Sequence, residues 1–152
     1  MINNQGDKFM RNADSERKIF WDMYNQILAK HGKPYIISSK KQWAIVNKNT
    51  ANWNEPAIAM DFLVQKRLLR INLFLLDDVA LFNKLSAIKH DLEDKLGCKS
   101  EWVHGEKGKD TYRIKTELGL VPYDHDDYYR VIEESLPIVI NYINTFRPYI
   151  NC

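Results

Sequence analysis

The sequence predicts an α+β fold. An antiparallel sheet of two hairpins packs against helices as a two-layer sandwich, in the order α-β-β-β-α-β-β-α. Three observations lead there. The stretch Leu68–Leu76 is apolar apart from Arg70 and Asn72, too short for a globular helix and suited to a strand near the middle of a sheet. The period then changes: Leu81, Phe82, Leu85, Ile88, Leu92 and Leu96 recur at three- and four-residue spacing, which makes one helical face apolar. On either side lie alternating segments. Ile58, Met60, Phe62 and Val64 precede it, and Trp102, Tyr112 and Ile114 follow it. Adjacent hairpins imply antiparallel pairing, with the helices forming the second layer.

Each element has its own signal. Residues 1–13 are polar and read as a flexible arm, leaving 14–152 as a single domain. Asp14 or Ser15 can cap a first helix with an apolar face of Ile19, Phe20, Met23, Ile27 and Leu28, ending at Gly32. Pro34 forces an extended start to the next segment. Short apolar runs at 35–37 and 43–46 suit edge strands or loop. Residues 57–64 form a strand, and Gln65-Lys66 turns it back into Leu68–Leu76. Asp77-Asp78 offers an N-cap to a helix over 79–96, which Gly97 ends. A second hairpin spans 99–116, with 105–110 as its turn. Acids at 124, 126 and 127 open a last helix carrying Val131, Ile132, Leu136, Val139, Ile140 and Ile143. Pro137 inside it predicts a kink or break.

Composition narrows the function classes. A chain of 152 residues fits one domain that needs no staples, and a net charge of +2 argues for no particular partner. Cys98 and Cys152 lie far apart, so reduced thiols and a cytoplasmic setting are expected. No run approaches the ~20 apolar residues of a membrane span. The cysteines and histidines form no metal-binding spacing, and no cofactor is expected. Asp124-His125-Asp126-Asp127 reads as an acidic helix start with a passing histidine. Cys98 reads as a small core residue, and each of His31, His90, His104 and His125 as a surface residue. Gly105-Glu106-Lys107-Gly108-Lys109 has the wrong spacing for a phosphate loop and reads as a hairpin turn. Glu93-Asp94-Lys95 has the letters of a nuclease motif but falls on a helix. Asp61 has no acid-x-lysine on the strand after it. A catalytic constellation is therefore not expected.

One region does suggest chemistry. Between Asp22 and Glu55 there is no carboxylate, while Lys30, His31, Lys33, Lys40, Lys41 and Lys48 lie there with Tyr35 and Trp43. Basic residues interleaved with aromatics supply phosphate contacts and base stacking. Lys33, Lys40, Lys41, Trp43, Lys48 and Arg70 are the candidate nucleic-acid-binding residues, with Arg70 brought beside the others by the hairpin.

Several stretches carry a resemblance. They are Arg17-Lys18-Ile19-Phe20-Trp21, the strand 70–75, Leu92-Glu93-Asp94-Lys95-Leu96-Gly97 with Glu101-Trp102 beyond it, Tyr112-Arg113-Ile114, and the close Phe146-Arg147-Pro148-Tyr149-Ile150. With these the chain resembles the uncharacterised bacterial family known as domain of unknown function 4268. Members of that family often follow a restriction-endonuclease-like nuclease domain. The resemblance implies a setting in nucleic-acid metabolism or defence against foreign DNA, and carries over no catalytic residue. The expected function is a non-catalytic accessory domain that binds DNA or RNA weakly. The alternative is a protein-interaction or dimerisation module, whose partner is a nuclease, another protein or a second copy. Trp21, Trp43, Trp53 and Trp102 would then include a partner-facing patch. A restriction-endonuclease-like nuclease is the least favoured reading.

Overall fold

The computed structural model describes residues 2–33, 42–47, 55–105 and 111–151, with the side chains of the first helix described from Ala13 onward. The elements run α1 (Ile2–Lys30), β1 (Trp43–Ile45), β2 (Ala57–Leu63), a 3-10 turn (Val64–Lys66), β3 (Leu68–Leu76), α2 (Val79–Ala87), α3 (Lys89–Leu96), β4 (Glu101–Val103), β5 (Tyr112–Glu117) and α4 (His125–Phe146). Among the described residues, five strands pair antiparallel in one open sheet, in the order β1-β2-β3-β5-β4. The α+β class is as the sequence predicts, and so is the order of elements apart from a second helix between β3 and β4.

The centre of the sheet follows from the run Leu68–Leu76. Its alternate residues Leu69, Ile71, Leu73 and Leu75 are fully buried, and they share a face with Ile58, Met60 and Phe62 of β2 and Tyr112 and Ile114 of β5. All four helices contribute to this one cluster: Phe20, Trp21, Tyr24 and Ile27 from α1, Phe82 and Leu85 from α2, Leu92 from α3, and Tyr128, Val131, Ile132 and Tyr142 from α4. Arg67 closes the hairpin between β2 and β3 in the left-handed region, at φ 48. Leu76 is also left-handed, at φ 57, where the β3–β5 register slips between Phe74 and Leu76.

Four expectations are corrected. The first helix starts at Ile2 rather than near Asp14, and Asp14 pairs with Arg17 within it rather than capping it. The buried face of α1 is rotated: Trp21 and Tyr24 are in the core, while Ile19 and Met23 are half-buried. Large aromatic side chains fill the space between helix and sheet better than the aliphatic residues beside them. The helix expected over 79–96 is two helices. Ile88, at φ −116 and ψ 26, breaks the helical path, so that α2 lies on β3 and β5 while α3 lies on α4. A single straight rod cannot face both surfaces. The caps at its two ends are as expected. Asp78 accepts the amide of Leu81 at 2.9 Å, and Gly97 ends α3 at φ 75. Finally, of the kink or break expected at Pro137, the break does not occur: α4 is one helix of 22 residues, His125–Phe146.

Pro137 lacks an N–H and leaves the carbonyl of Glu133, four residues earlier, without its helical donor. The residue is exposed and carries no core contact that a smaller side chain would lose. Pro137→Ala should therefore raise stability by about 1–3 kcal/mol. Urea denaturation of the two proteins checks this, and a lower midpoint for the variant would show that Pro137 suits its site.

Candidate nucleic-acid interface

The pleat sends the second set of strand residues to the face away from the helices. Trp43 of β1 is in register with Asp61 of β2, and Asp61 with Arg70 of β3. Asn72 is in register with Lys115 of β5, and Phe74 with Arg113. This outer face therefore gathers Trp43, Phe74, Arg70, Arg113 and Lys115 with the acids Asp61, Glu101 and Glu117. Ile45, Ala57 and Ala59 are buried on the same face, outside the helix-side cluster.

Its charges are organised in pairs. The Nε of Arg70 donates to Oδ2 of Asp61 at 2.7 Å, and Nδ2 of Asn72 donates to the same oxygen at 2.9 Å. The Asp61 side chain is 4% exposed and that of Arg70 is 19% exposed. Lys115 lies 3.9 Å from Glu101, and the guanidinium of Arg113 sits 6.0 Å from the centre of the Phe74 ring. A carboxylate this buried needs both a counter-charge and hydrogen bonds, and Arg70 and Asn72 supply them.

The candidate residues fall into two groups. Trp43 and Arg70 come together on this face, each half-buried. Lys33 is exposed, just past the end of α1. Lys40, Lys41 and Lys48 lie outside the described residues, as do the run at 35–37, Trp53 and the turn residues 106–110. Sequence reading set Asp61 aside as a lone acid. It missed that Asp61 and Asn72 hold Arg70, although the one-in-two alternation of β2 and β3 already put all three on one face. Of the tryptophans proposed as a partner-facing patch, Trp21 is fully buried and Trp102 packs against the core beside Phe82.

A second cluster lies between α1 and α4, and one carboxylate organises it. Glu16 accepts from the Tyr128 hydroxyl and lies against Nε2 of His125, both at 2.5 Å. Burial first, and then the Glu16 carboxylate, push the Tyr128 phenol well above its ordinary range. These groups line a cleft of about 560 Å³ with Arg67, Tyr123, Asp124 and Asp126. His125 is thus more than the passing histidine that the sequence suggested. Asp124 caps α4 as expected, accepting the amide of Asp126 at 3.0 Å. Both oxygens of Glu16 are already engaged, so the cluster works as a tie between the two helices.

A third contact joins the same helices. His31 lies 3.1 Å from Glu133, and Lys30 donates to the Tyr129 hydroxyl at 2.6 Å. The hydrogen bond from His31 is the main cause holding the Glu133 carboxyl below its ordinary range, against some desolvation. A depressed carboxyl favours the fold above its unfolded value, and that contribution is lost as pH falls through the folded value, below about pH 4.3. His31→Gln should move the Glu133 midpoint upward in a carbon-detected NMR titration. An unchanged midpoint would mean that His31 does not stabilise the carboxylate.

Among the described residues, no group of three or more His, Cys, Asp or Glu side chains is placed to hold a metal ion. No helix among them is long and apolar enough to cross a membrane. The sequence matches no protein-family profile and no curated protein.

Proposed function

We propose that this chain is a non-catalytic accessory domain that binds nucleic acid weakly through the sheet face opposite its helices. The observation that carries this reading is the gathering of Trp43 and Phe74 with Arg70, Arg113 and Lys115 on that face. Aromatic rings offer stacking surfaces to bases, and cations meet phosphates. The acid-free segment between Asp22 and Glu55, which contains β1, carries Lys33, Lys40, Lys41 and Lys48 in its sequence. Arg70, Arg113 and Lys115 share the face with Asp61, Glu101 and Glu117, so a surplus of positive charge would come from those lysines. The family resemblance adds the setting, nucleic-acid metabolism or defence against foreign DNA.

The test is a mobility shift with DNA and RNA oligonucleotides at about 50 mM salt, repeated with magnesium. A retarded, salt-sensitive band without cleavage supports the reading. No shift on any nucleic acid would overturn it, and cleavage with magnesium would overturn its non-catalytic part.

A further inference from the structure

We propose that Arg70 is an oxyanion-binding residue whose guanidinium is set in its binding geometry by Asp61 and Asn72, and that its ligand is the phosphodiester group. The inference rests on the nucleic-acid reading and names the residue set that takes the phosphate.

The geometry is that of an oriented fork. Arg70 commits only Nε to Asp61, at 2.7 Å, and its two Nη groups have no protein partner among the described residues. A guanidinium is planar, so fixing Nε fixes the direction of the remaining edge. Two parallel N–H donors on one edge match the paired oxygens of a phosphodiester. Asp61 is fixed in turn, because Oδ2 also accepts from Asn72 at 2.9 Å.

Asn72 shows what this arrangement costs. It is fully buried, and its Oδ1 has no hydrogen-bond partner. The amide cannot be turned to satisfy that oxygen, since Nδ2 must face the carboxylate. A simple ion pair between Arg70 and Asp61 would not need this buried amide, and an aliphatic residue would pack there without an orphaned acceptor. The role left for Asn72 is to hold Asp61, and through Asp61 the fork. The Arg70 side chain keeps 19% of its surface exposed, and the charges in register around it are turned elsewhere. Glu117, in register with Arg70 on β5, is exposed and makes no bond to it, and Lys115 is turned toward Glu101.

One consequence runs against simple electrostatics. Asp61 is an acid on a face that meets a polyanion, so by charge alone its removal should tighten binding. By orientation its removal should weaken binding. Asp61→Asn decides between the two, since it keeps the shape but replaces the carboxylate with a single neutral acceptor.

The experiment measures binding of a fluorescent twelve-nucleotide single-stranded DNA to the full chain by anisotropy at about 50 mM salt. The wild type is compared with Asp61→Asn, Arg70→Lys and the control Lys115→Gln, and folding of each is checked by circular dichroism. The expected result is a loss of about threefold or more for Asp61→Asn, although the net charge rises by one, and a comparable loss for Arg70→Lys, which keeps the charge but not the fork. Lys115→Gln shows what loss of charge alone does. Tighter binding by Asp61→Asn, or unchanged binding by Arg70→Lys, would overturn the proposal. A second measurement serves if Asp61→Asn fails to fold: the Arg70 Nε–Hε resonance of the wild type is followed by NMR as inorganic phosphate is added. Movement of that resonance at millimolar phosphate supports the fork, and an unmoved resonance overturns it. If the wild type binds no oligonucleotide but the resonance moves, the oxyanion site stands and the nucleic-acid reading fails.

Discussion

Phe20→Ala should lower the free energy of unfolding by about 3–5 kcal/mol. Phe20 is fully buried where α1, β2 and α4 meet. Its ring centre lies 4.4 Å from that of Phe62 and 5.5 Å from that of Tyr128, with Trp21 edge-on at 5.0 Å. Removing the ring takes away its burial and leaves a cavity that three elements would have to close together. The neighbours are rigid aromatics with little freedom to relax, so the upper part of the range is expected. Guanidinium denaturation monitored by circular dichroism checks this. A loss below about 1 kcal/mol would show that α1 does not pack on the sheet in this way.

The double variant Lys40→Glu, Lys41→Glu should lower affinity for nucleic acid by at least about tenfold at 50 mM salt. Both lysines fall in the acid-free segment, and each reversal removes one attraction and adds one repulsion. Charge reversals at lysines usually change stability little, so the free energy of unfolding should change by no more than about 0.5 kcal/mol. Parallel binding and denaturation curves separate the two effects. Equal affinity for variant and wild type would remove this segment from the interface.

The central strands were legible because β2 sets large residues against smaller ones, β3 is a short apolar run bounded by turn residues, and the caps are chemically explicit. Leu68–Leu76 has the bounds the sequence suggests, and Asp78, Gly97 and Asp124 sit where caps belong. The break at Ile88 was not legible. The apolar spacing from Leu81 to Leu96 fits one helix, and only the need to face two surfaces splits it. The buried stripe of α4 was partly misread for a related reason. Ile140 is exposed while Tyr128, Tyr142 and Phe146 are buried, because hydrophobicity alone underrates a tyrosine whose hydroxyl finds a partner. Tyr142 donates to the carbonyl of Ile114, and Tyr128 to Glu16.

The candidate face was legible in part. The lack of acids between Asp22 and Glu55 can be read directly, and the hairpin places Arg70 near it. The roles of Asp61 and Asn72 needed the β2–β3 register, which pairs Asp61 with Arg70 and sets Asn72 one step along on the same face. Glu16 gave no signal, because a single acid in an amphipathic helix looks like any solvated charge. Only the approach of His125 and Tyr128 from more than a hundred residues away shows its role.

The most direct test of nucleic-acid binding is the affinity of the wild-type chain for a short oligonucleotide across a salt series. With about three to five phosphate contacts, the account predicts a straight line of log affinity against log salt, and a fall of roughly one to three orders of magnitude between 50 and 200 mM. No binding at 50 mM salt, or an affinity unchanged across the series, would contradict it.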